Sequence, residues 1–262
     1  MRDWTTSGLE YVETGIMCGR YAITASPEAL RQLLQYFDLP NFPPRYNVAP
    51  TQPVPVVRVA DGVRRFVLMR WGLIPAWVKD PKTFTLLINA RGESVLDKPA
   101  FRNAMRYRRC LFPADGFYEW KSDGRSKQPY FIRPADGRSV AFAGLWETWT
   151  GPNGEEMDTA AIVTTTANRS LASIHSRMPA VIAPESFAAW LDVNGCSAEE
   201  AARLIGPAPD DLFEAYPVST AVNRTANDSP DLIAPVAAAS EAPAPPRRAR
   251  ARAKDDRQTE LF

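Results

Sequence analysis

A chain of 262 residues, 45% hydrophobic and 23% charged, carries enough apolar material for one substantial core. No apolar run reaches the roughly 18 residues of a membrane span, and the opening lacks the basic start and apolar stretch of a secretory signal, so a cytoplasmic address is expected. The net charge of +1 excludes a global field that would draw the chain to a polyanion; any anion-binding surface must be built locally. Three cysteines, Cys18, Cys110 and Cys196, have neither disulfide-framework nor zinc-like spacing. The single histidine, His175, excludes a His-rich centre. Neither a metal nor a cofactor is expected.

In chain order, residues 1–16 show no periodic pattern and read as an extension ahead of the dense run Met17-Cys18-Gly19-Arg20-Tyr21. Ser26-Pro27-Glu28 combines an N-cap, a first-turn proline and an acidic first turn. Leu30, Leu33, Leu34 and Phe37 then recur at helical spacing. Val54–Val59 and Arg64–Arg70 flank Asp61-Gly62, a hairpin signal. Asp123-Gly124 and Asp136-Gly137 separate Gly116–Lys121, Tyr130–Arg133 and Ser139–Trp146 in the same manner. A strand is expected over Asp158–Thr165 after the Gly151–Gly154 turn, and helices over Pro184–Asp192 and Ala198–Ile205, the latter capped by Ser197. From about Ala237 the chain is Ala/Pro-rich and then basic, a composition that predicts disorder. The folded part is then a single domain over 17–236. Its class is α+β, with a mainly antiparallel, barrel-like β core and short peripheral helices.

Four positions carry candidate chemistry, each with an ordinary alternative. Cys18 reads either as a small buried hydrophobe or as a nucleophile. Were the residues before it absent, through a misassigned start or a processed leader, its free α-amine (pKa near 7.7) would stand beside its thiol. Such a 1,2-aminothiol condenses with an aldehyde to an imine and then to a five-membered thiazolidine. Asn89, in Asn89-Ala90-Arg91-Gly92-Glu93, is either a polar turn residue or an amide that orients a nucleophile. Glu119, between Tyr118 and Trp120, is either a solvent-facing strand position or a poorly solvated carboxylate suited to acid/base work. His175, in His175-Ser176-Arg177-Met178-Pro179, is either structural or the one imidazole available. Arg102, Arg106, Arg108 and Arg109 read equally as a solvated loop or a basic binding patch, and Trp71, Trp77 and Trp120 as core residues or stacking platforms.

Together these motifs resemble the SRAP family of SOS-response-associated peptidases, or abasic-site processing proteins. The resemblance runs from Met17 to about Val236. Its further carriers are Arg45-Tyr46-Asn47-Val48-Ala49-Pro50, Trp71-Gly72-Leu73-Ile74-Pro75 with Trp77, Ala143-Gly144-Leu145-Trp146, and Val218-Ser219 with Val222-Asn223. It implies that an N-terminal Cys18 forms a thiazolidine crosslink with the ring-opened sugar of an abasic site in single-stranded DNA. Asn89 would hydrogen-bond near the amine, Glu119 would move protons, and His175 would act on the sugar's ring oxygen. Arg20, Arg91 and Arg177 would contact phosphates, with Trp77 and Trp120 beside the lesion, and weak lyase and leader-cleaving activities would accompany the crosslink. The chain would act as a monomer, associated with the nucleoid on damage. Gln258-Thr259-Glu260-Leu261-Phe262 resembles the peptide by which bacterial proteins dock on the replication sliding clamp. Two rivals are an ordinary cysteine peptidase built on Cys18, His175 and Asn89 and a non-catalytic single-stranded DNA-binding module.

Overall fold

The computed structural model describes residues 18–124 and 126–237. The expectations for residues 1–16, for the chain beyond 237 and for the Gln258–Phe262 peptide lie outside them. In chain order the elements are β1 (Tyr21–Ile23), α1 (Pro27–Leu34), β2 (Arg45–Val48), β3 (Pro53–Ala60), β4 (Val63–Trp71), β5 (Asn89–Arg91), α2 (Arg102–Tyr107) and β6 (Arg109–Ala114). There follow β7 (Gly116–Ser122), β8 (Lys127–Pro134), β9 (Val140–Thr150), β10 (Glu156–Thr166), β11 (Arg177–Pro179), β12 (Val181–Ile182), α3 (Phe187–Leu191), α4 (Ala198–Ala202) and β13 (Phe213–Pro217).

Local chemistry explains the elements that the sequence announced. Val63 pairs with Ala60 across Asp61 and Gly62, both at positive φ (51° and 75°), the two-residue turn that suits right-twisted strands. Ser26 caps α1 by accepting from Ala29 N, and Ser197 forms a capping box with Glu200 at α4. α1 ends earlier than the apolar spacing suggested. Gln35 turns left-handed at φ 55°, and Phe37, expected on the buried face, is 68% exposed with the Arg65 guanidinium over its ring.

Five strands, β10–β4–β3–β6–β9, close into a barrel because β9 also pairs with β10. Its pairings are antiparallel except β10–β4, and β10 takes β5 as a further parallel neighbour. The second sheet runs β13–β8–β7–β1–β2. The α+β, mainly antiparallel, barrel-like expectation holds. Asp136-Gly137 does not make a hairpin, however, because β8 belongs to the second sheet and β9 to the barrel; the turn is a crossover. The basic run 102–109 is neither a loop nor a continuous patch. Arg102 and Arg106 are exposed on α2, while Arg109 is 2% exposed. Its guanidinium donates to the carbonyls of Met105, Trp190, Asp192 and Cys196. Trp71 is core, fully buried with its indole on Ile88 O. A large core fills the barrel and reaches one face of the second sheet through Tyr21, Phe117 and Ile132. A smaller one, with Ala22, Tyr118, Phe131, Val218, Val222 and Leu232, covers the other face.

Candidate active site

The strand β1 lies antiparallel to β7, with Tyr21 opposite Phe117, and Tyr118 N donates to Arg20 O. This pairing lays the short arm Cys18-Gly19-Arg20 along β7, beside Glu119. The N–H of Cys18 donates to Glu119 Oε1 at 2.8 Å, and its thiol donates to the same oxygen at 3.1 Å. Cys18 is 2% exposed, Glu119 3%, and Cys18 stands at φ 44°, a left-handed conformation that non-glycine residues adopt only when held there.

Burial pushes the Cys18 thiol well above its ordinary value. The charge of Glu119 and the hydrogen bond to it push in the same direction, and the Arg177 guanidinium opposes them. Burial also raises the Glu119 carboxyl, against the pull of His175 and the hydrogen bonds from Cys18. Burial thus favours the neutral form of both groups, and the thiol is the donor to Glu119 Oε1. A buried base in contact with both nitrogen and sulfur can relay a proton to or from either.

His175 Nδ1 lies 3.9 Å from Glu119 Oε1. Asn168 shapes the turn before it, accepting from Leu171 N and Ser170 Oγ and donating to the carbonyls of Ala208 and Pro209. Nδ1 also lies 3.2 Å from Arg177 N and 3.4 Å from Arg177 O, so the backbone of Arg177 holds the ring in place.

The remaining polar positions sit along β10. Asn89 is opposite Ile162, Arg91 opposite Thr164, and Arg177 opposite Thr166 on the other flank. Arg177 is fixed by two 2.8 Å bonds to the Glu93 carboxylate and by Thr164 O and Oγ1. That fork holds the Glu93 carboxyl below its usual range. Arg91 is exposed. Cys18, Glu119 and His175 are thus brought together directly, with Arg177 close enough for its charge to act on the Cys18 thiol, while Asn89 lies on β5 beside β10.

The other residues expected at the DNA, Trp77, Trp120 and Arg20, have the following surroundings. Trp77 is 60% exposed, edge-on to Phe84 at 5.4 Å between ring centroids, in a loop away from these strands in sequence. Trp120 follows Glu119 on β7 and so faces the smaller core, its indole N–H on Asn223 Oδ1. The Arg20 guanidinium donates to Asn47 Oδ1, Val222 O and Asn223 O. Sequence reasoning gave Asn47 no role, yet it is fully buried and donates to the carbonyls of Val222, Arg224 and Asn227. Its partners lie 175–180 residues away, and an uncharged side chain with no local pattern gives no signal of that.

A closed barrel joined to a second sheet, with a cysteine, a carboxylate and an imidazole gathered on the seam, defines the class, and the chain belongs to the SOS response associated peptidase (SRAP) family, whose profile matches residues 17–225. Its relatives include the abasic site processing protein YoqW of Bacillus subtilis, 38% identical over 83% of this chain and 99% of that protein. The abasic site processing protein HMCES of Gallus gallus is 33% identical over 84% of this chain and 78% of its own length. A crystal structure of a protein from Bacteroides thetaiotaomicron matches with a TM-score of 0.74 at 26% identity, covering 84% of this chain and all of that one.

Proposed function

We propose that the protein processes abasic sites by joining Cys18 covalently to the lesion. The observation that carries this reading is the single carboxylate oxygen, Glu119 Oε1, contacted by both the nitrogen and the sulfur of Cys18. Once Cys18 is the first residue of the mature chain, Glu119 takes a proton from its ammonium group. The amine adds to the C1′ aldehyde of the ring-opened sugar, and loss of water gives the imine. The thiol then adds to the imine carbon while its proton passes through Glu119 to the nitrogen, closing the thiazolidine. Aldehyde and aminothiol yield the ring and one water, so atoms balance. His175 serves the sugar's ring oxygen and promotes the open form, and Asn89 orients the amine. An imine that escapes ring closure can undergo β-elimination, so weak lyase activity is the expected side reaction.

The substrate in this reading is single-stranded DNA, held without base readout. Exposed Arg91 and Trp77 supply direct contacts, whereas Arg20, Arg177 and Trp120 are already engaged by protein groups and act mainly by shaping the site. The peptide Gln258–Phe262 docks the protein on the replication sliding clamp. Deleting Leu261 and Phe262 abolishes recovery of the clamp in a pull-down; equal recovery rejects that part.

The decisive assay for the chemistry is a denaturing gel after incubation with an abasic oligonucleotide. Wild type gives a heat-stable shifted band without added reductant, and Cys18→Ala gives none. A band of equal intensity from Cys18→Ala overturns the reading. The peptidase reading has one observation of its own: the carboxylate that would free the amine already accepts the N–H of Cys18. On that reading Glu119→Gln retains residues ahead of Cys18 that wild type loses, seen by intact mass.

A further inference from the structure

The segment 218–228 is far from the site in sequence and close to it in space. Val218 is anchored through Pro129 O and Gln128 Nε2. Val222 is fully buried in the smaller core. Asn47 ties down the carbonyls of Val222, Arg224 and Asn227 from beneath. Asp228 accepts from Tyr46 N, Asn47 N and Arg45 Nε. Asn223 sits in the middle of this strap and bonds to a near chain neighbour of each member of the reacting pair. Its backbone carbonyl accepts from Arg20 Nη2 at 3.3 Å, two residues after Cys18, and its Oδ1 accepts from Trp120 Nε1 at 2.9 Å, one residue after Glu119. Successive strand residues point to opposite faces, so Trp120 braces the back of the strand whose front presents the carboxylate.

We propose that Asn223 is a positioning residue for the reaction at Cys18, setting the arm and the carboxylate in register from both sides. The proposal rests on the covalent reading above. Losing the Asn223 amide oxygen frees the Trp120 indole and lets β7 shift against the arm. Displacements of about 1 Å at a reacting group cost on the order of 100-fold in rate, and a loosened contact costs part of that. The cost falls on the chemical step, because neither group needs to touch DNA to act this way.

The test uses the full chain in two assays. In the first, the rate of adduct formation is followed against oligonucleotide concentration. Asn223→Ala lowers the saturating rate by about fivefold to twentyfold and leaves the half-saturating concentration unchanged. Asn223→Asp, which keeps an acceptor for the indole, returns the rate to within about twofold. Trp120→Phe removes the same bond from the other side, and its effect does not multiply with that of Asn223→Ala in the double variant. It also stands in if the alanine variant does not fold. In the second assay no DNA is present: alkylation of Cys18 by iodoacetamide is measured against pH and read by peptide mapping. The wild-type profile lies above the ordinary thiol range, and that of Asn223→Ala moves down toward it. An unchanged alkylation profile, an Asp variant as slow as the Ala variant, or effects that multiply would each overturn the proposal. If wild type forms no adduct while the alkylation profile shifts and Asp restores it, the covalent reading falls and the positioning role stands.

Discussion

A carboxylate as buried as Glu119 destabilises the fold in its charged form, and the same burial makes it a proton acceptor for Cys18. Its folded pKa lies above the unfolded one, so between those values the folded state holds more protons. That contribution to stability is present at low pH and is lost as pH rises through the raised value. Glu119→Gln removes the loss. The melting temperature of the variant relative to wild type therefore rises with pH across that window and levels off above it. Over the same range the adduct rate drops by about 100-fold or more, the size of a lost general base. A variant that becomes relatively less stable as pH rises contradicts this assignment. Glu119 was legible in the sequence as a carboxylate between two aromatics, but strand alternation alone left its face undecided. The undecided part was settled by Cys18, a partner 101 residues away.

At the scale of elements, turns and caps were the legible features, because Asp61-Gly62, Ser26 and Ser197 carry their geometry in their own side chains and backbone preferences. What they join was not legible. Asp136-Gly137 has the composition of a hairpin, yet only long-range pairing assigns β8 and β9 to different sheets. The short strands β1, β2 and β5 have too few residues for a period to show. Arg109 is the sharpest case. It reads as one member of a basic run, but Arg109→Ala strands four backbone carbonyls in the α2–α3 junction and costs at least about 3 kcal/mol. Arg102→Ala, on the exposed face of α2, stays within about 0.5 kcal/mol. Thermal or urea denaturation distinguishes the two, and equal effects would contradict the buried role. Gln35 at φ 55° predicts a gain from Gln35→Gly of about 0.5–1 kcal/mol, since glycine takes the left-handed C-cap without a Cβ penalty.

For the whole molecule, the balance of charge limits how DNA is held. With a net charge of +1 there is no global field to hold DNA, and beside the site Arg177 and Arg20 are engaged by protein groups while Arg91 is exposed. Two to four contacts predict that the logarithm of the initial affinity falls with the logarithm of salt at a slope of about −1.4 to −2.8. The finished adduct should be indifferent to salt, and a slope steeper than about −5 would contradict a count of two to four contacts. The barrel, the second sheet and the C-terminal strap all converge on one residue, Cys18, and the reading depends on whether its nitrogen is free. The most direct measurement is the intact mass of the gel-purified adduct. The account predicts a chain beginning at Cys18 joined to the oligonucleotide with loss of one water; an adduct that retains Met17 or any earlier residue and survives heating contradicts it.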